Sequence, residues 1–199
     1  MTLKCVSFAA LLMCAAIAPA GAHHSAVRHT GGPDGIAIPF ITHGQMAVLA
    51  RYRSDILALA DSQVPTTREM RRLQGYINIQ YSACLWGLMP GTVSDEASPF
   101  NECAHAYLAA TRALFLLLQS QVPPRAAVRG LAAKIEREML DETASLALCV
   151  HSDESFNTSD VIYPVWAGVP GHTPGALAIA GGVAAISGIL LLLLRRRQV

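Results

Sequence analysis

The feature that most limits what this chain can fold into is its end. Gly175–Leu194 runs without a charged residue and is followed at once by Arg195, Arg196 and Arg197. Twenty residues of helix cover about 30 Å, the hydrocarbon thickness of a bilayer. A core helix of that length normally carries a polar face, which this run lacks. It therefore reads as a single transmembrane helix over 175–194, with the arginines of the tail 195–199 marking the cytoplasmic side. Within the run, Ala178-x-x-x-Gly182 and Ala184-x-x-x-Gly188 have the small-xxx-small spacing that lets two helices approach closely, so a homodimer through the span is an expectation.

The other end agrees with that topology. Lys4 precedes the apolar run Val6–Ile17, and Ala20-Gly21-Ala22 supplies the small residues a signal peptidase accepts. Residues 1–22 read as a signal peptide, which puts the region between the two ends outside the cytoplasm. The expected location is a cell membrane crossed once, with the N-terminus extracytoplasmic, on the periplasmic side in a bacterium. Arginine far outnumbers lysine, which occurs only at Lys4 and Lys134, and this bias fits a bacterial source.

The tail, a Pro/Gly motif followed by a span and an Arg cluster, resembles bacterial C-terminal sorting signals of the PEP-CTERM type. That resemblance implies removal of the span after the motif is recognised. Val169-Pro170-Gly171-His172 lacks the acidic residue and second proline of that motif, and permanent anchoring is the favoured expectation.

Setting aside Lys4 and Arg195–Arg197, eleven of the 15 Lys/Arg face all 14 Asp/Glu, leaving a mildly acidic domain. No basic stripe exists for nucleic acid. Residues 23–41, with Gly31-Gly32-Pro33, Gly35 and Pro39, read as a flexible N-terminal arm.

Four helical segments follow over 42–151. Thr42-x-x-Gln45 is a capping box opening a helix to about Gln63, and Thr66-x-x-Glu69 opens a second to about Leu88. Ser98-Pro99 opens a third, to about Gln121, and a fourth runs from Arg125 to about His151. Apolar residues recur at helical spacing in each. The expected fold is all-α: an antiparallel four-helix bundle, a polar then Pro/Gly-rich stalk over 152–174, and the single transmembrane helix.

Three cysteines fall in this region. In an up-down bundle Cys84, Cys103 and Cys149 share the pole nearest the stalk, and an oxidising compartment favours a bridge. Cys84–Cys103 is the expected pair, with Cys103–Cys149 as the alternative. The same pole gathers His105, His151, His43 and Met46, and sulfur with imidazole is what copper or zinc prefers. A metal set of Cys149, His105, His151, His43 and Met46 is thus a second expectation, with Cu or Zn as the ion. His23, His24 and His29 offer looser ligands.

No G-x-S-x-G, P-loop or H-E-x-x-H occurs, and the chain is not expected to be an enzyme. Glu102-x-x-His105 is one half of a di-iron bundle motif, and its second half is missing. Trp86, Met89 and Phe100, beside a Pro/Gly turn, are candidate contact residues for an unknown protein partner. The leading functional expectation is an anchored interaction or accessory domain needing no cofactor. Metal binding is the alternative, and an enzyme without a readable motif the third.

Overall fold

The computed structural model describes residues 35–122, 125–141 and 147–196, which form a mostly helical protein. The expected signal peptide, most of the expected N-terminal arm with its histidines, and Arg197 lie outside the described residues. Among the described residues four α-helices make up the domain: α1 (His43–Asp61), α2 (Arg68–Ala83), α3 (Asn101–Gln119) and α4 (Ala126–Asp141). A fifth, α5 (Thr173–Arg196), is long and apolar enough to cross a membrane.

Local signals start the first two helices. At α1 the Thr42 hydroxyl accepts from the Gln45 N–H while Gln45 Oε1 accepts from the Thr42 N–H, the reciprocal capping box. At α2 the cap is Thr67, which accepts from the Met70 N–H, not Thr66. Thr66 instead donates back to the Gln63 carbonyl. The helix opening at Ser98-Pro99 also starts later than expected, at Asn101, with Ser98 Oγ accepting from the Phe100 N–H.

α3 is the centre of the domain. Thirteen of its 19 residues are buried, and Ala104, Ala106, Ala109 and Ala110 leave room for neighbours to approach from several sides. It packs against α2 and α1 most extensively and against α4 more lightly, while α1 and α2 barely touch. α1 and α4 are joined at the surface, where Glu138 accepts from both Arg51 and the Tyr52 hydroxyl and pairs with Arg51 Nη2 at 2.9 Å. The largest fully buried side chains include Phe100, Ile38, Ile41, Met46, Met70 and Leu108.

Two segments differ from the sequence reading for the same reason. The expected stalk 152–174 is folded onto the domain, and the last part of the expected arm is core. Ala37–Ile38 (β1) pairs antiparallel with Phe156–Asn157 (β2), burying Ile38 and Phe156. Farther on, the buried Gln80 side chain accepts from the Ile162 N–H at 2.9 Å and donates to the Ile162 carbonyl, pairing both backbone groups. Val165 N–H then donates to Pro99 O, and Phe100 meets Trp166 edge-to-face at 5.4 Å. Partners more than sixty residues away, rather than local periodicity, order this segment.

A short 3-10 helix, Trp166–Gly171, leads into α5. His172 sits between them: its Nε2 lies 3.0 Å from Asp95 Oδ2, and its Nδ1 accepts from the Gly175 N–H. The imidazole beside Asp95 holds that carboxyl below its ordinary value, helped by the Ala97 N–H. Ala178 and Ile179, in the first turns of α5, pack against the domain core. The helix thus leaves the domain directly, with no free spacer.

Candidate metal centre

Cys84 and Cys103 are disulfide-bonded, with Cα atoms 5.9 Å apart. The bond joins the end of α2 to the first turn of α3 across the loop 85–100 and takes Cys103 out of any donor set. Beyond Cys84 the chain turns sharply: Leu85, Trp86 and Gly87 all have positive φ, and of the three only the glycine adopts it without a Cβ penalty. Trp86 is left half exposed by this turn. Met89 and Phe100, taken from sequence as contact residues, are instead buried, and Trp166 of the folded-back segment lies edge-on to Phe100.

Cys149 does not lie on a helix. The fourth helix was expected to run to about His151, but residues 147–149 are not helical, and Cys149 opens a tight turn there. Ser152 shapes that turn. Its Oγ accepts from the Cys149 N–H at 2.8 Å and its N–H donates to the Cys149 carbonyl at 3.0 Å. The loop is tied to the start of α1 by Gly44 N–H donating to Ala147 O.

Three donors from three elements therefore converge: His43 from the first turn of α1, His105 from α3 and Cys149 from the loop. One donor atom from each lies within 4.8 Å of the other two. The Cys149 sulfur is 3.1 Å from His105 Nε2, and the His43 and His105 rings are 6.0 Å apart. His105 is fully buried, and neither its Nδ1 nor that of His43 has a hydrogen-bond partner. A buried imidazole nitrogen without a partner is a costly arrangement in the absence of a ligand.

Burial, reinforced by the neighbouring His151 and His43, lowers the His105 pKa to about 4. The ring is then neutral across the ordinary pH range with a lone pair to give. That state suits a metal ligand. It suits a thiolate–imidazolium nucleophile poorly, because such a pair needs the ring to hold a proton.

The donor chemistry fits zinc or copper. One thiolate and two imidazoles occur in catalytic zinc sites with an open fourth position, where bonds of about 2.0–2.3 Å put ligand atoms roughly 3.5 Å apart. The sulfur is 3.1 Å from His105 Nε2, and the three donors all lie within 4.8 Å of one another. His151, also expected in this set, instead stands beside it: its ring is 5.9 Å from that of His105, and its Nδ1 is 3.1 Å from Glu154 Oε2. Met46 follows His43 by three positions and is buried in the hydrophobic core.

Sequence reasoning passed over Ser152 and Glu154. No periodicity marks them, and the only available signal was their closeness to Cys149 and His151 in the chain. Comparison with protein-family models, with curated proteins and with solved structures finds no match to this chain.

Proposed function

We propose that this chain is a membrane-anchored extracytoplasmic protein that binds a zinc or copper ion through His43, His105 and Cys149. The observation that carries the reading is the convergence of one sulfur and two imidazoles from three separate elements, with His105 Nε2 on the Cys149 sulfur.

In the fuller reading the four domain helices form an antiparallel bundle, held to the outer face of a bacterial inner membrane by α5. Arg195 and Arg196 follow the apolar run and fit the cytoplasmic side. The metal site then lies outside the cytoplasm, where a thiol not engaged in the disulfide can carry or sense a soft ion. The test is metal retention by the full chain in detergent with its disulfide intact. Wild type is expected to keep one Zn(II) or Cu(I) per chain through dialysis, and Cys149→Ser with His43→Gln to lose it while keeping its helical circular dichroism. Equal retention by both overturns the reading.

A second reading, an interaction domain for a protein partner, is favoured by one observation: Trp86 is held exposed by a backbone turn of unfavourable φ, the kind of strain that collects at binding surfaces. Crosslinking from a photoreactive residue at position 86 in intact cells tests it, and absence of any adduct counts against it.

A further inference from the structure

We infer a second metal position beside the first, formed by Glu102, His151 and Glu154, that takes a divalent cation through oxygen and nitrogen rather than sulfur. The inference rests on the reading of the first cluster as a metal site.

One donor atom from each of these three residues lies within 4.8 Å of the other two. The His151–Glu154 contact alone is an ordinary i,i+3 pair within one loop. Glu102 is the residue that such a pair does not explain. It comes from the first turn of α3, on a different element, and converges on the same point.

The two positions share their framework. Glu102 and His105 are three residues apart on α3, a spacing that puts side chains on one face of a helix. The loop likewise supplies Cys149 to one cluster, and His151 and Glu154 to the other. The His105 and His151 rings, 5.9 Å apart, form the seam between them. Two carboxylates and one imidazole are net negative as a group in either state of the ring, which favours a cation at their centre.

The donor sets also differ in kind. Carboxylates with one imidazole form a harder set, suited to an ion that keeps some of its water, whereas thiolate with imidazole is softer. Burial separates them at one residue: all three members of the second group are partly exposed, as are His43 and Cys149, whereas His105 is fully buried.

Cobalt(II), a spectroscopic stand-in for zinc, separates the two positions in the full chain in detergent with the disulfide intact. Wild type is expected to bind two ions, the tighter giving a thiolate-to-cobalt charge-transfer band and the weaker only ligand-field bands. Glu102→Gln with Glu154→Gln should lower the stoichiometry to one and leave the charge-transfer band in place. Cys149→Ser should abolish that band and still bind one ion.

A wild-type stoichiometry of one with the thiolate band overturns the second position and leaves the first standing. Loss of both ions in the double glutamine variant, with unchanged circular dichroism, overturns it as well. Absence of the thiolate band in wild type overturns the reading of the first cluster and this inference with it.

Discussion

The Cys149 sulfur lies 3.1 Å from Nε2 of His105, a residue 44 positions earlier in the chain. Neither residue could be brought there by its own local structure. His105 is presented by the most buried helix of the domain, and Cys149 by a turn that Ser152 closes. The contact joins an imidazole that resists protonation to a thiol not engaged in the disulfide.

The cysteines are therefore expected to behave unequally. Alkylation under non-reducing, denaturing conditions, followed by peptide mapping, should label Cys149 and leave Cys84 and Cys103 unmodified until a reductant is added. Changing Cys84 and Cys103 together to serine should lower stability by about 3 kcal/mol, the chain-entropy value for a loop of this length. Labelling of Cys84 in the unreduced protein would contradict the pairing.

His105 sets a pH dependence for the metal-free chain. In the unfolded chain the ring takes a proton near pH 6.5, and in the folded domain only near pH 4. Stability from this group is thus complete above about 6.5 and declines as pH falls toward 4, where the unfolded state binds the extra proton. The full effect is about 3 kcal/mol. Chemical denaturation across this range should show the loss in wild type and a flatter profile in His105→Gln.

Gln80 is the polar link between α2 and the folded-back C-terminal segment. Leucine there fills similar space but leaves the Ile162 N–H and carbonyl without partners. The expected destabilisation is about 2–4 kcal/mol, from two abandoned backbone groups. Hydrogen exchange should speed up most over 156–165. An exchange profile changed only within α2 would show that the link does not order the segment.

The sequence was most legible where structure is local. The Thr42 capping box lies within four residues, and its partners are the ones the spacing names. At α2 two adjacent threonines compete, and Thr66 is drawn to the Gln63 carbonyl, so the cap moves to Thr67. Segment 152–172 was illegible for the opposite reason. Its order comes from β1, Gln80, Pro99 and Asp95, which leave no period in its own sequence. The candidate site stands between these cases. Residue type and the shared pole of the helices named His43, His105 and Cys149, but in one set with His151 and Met46, which stand outside the cluster. The turn at Cys149, which Ser152 closes and which sets the sulfur against His105, has no comparable marker in the chain.

X-ray absorption at the zinc edge, on the full chain loaded with one Zn(II), tests the central claim most directly. The account predicts a shell with one sulfur at about 2.3 Å and nitrogen or oxygen ligands at about 2.0–2.1 Å, including two imidazoles. A shell of light atoms alone, with no sulfur, would contradict it.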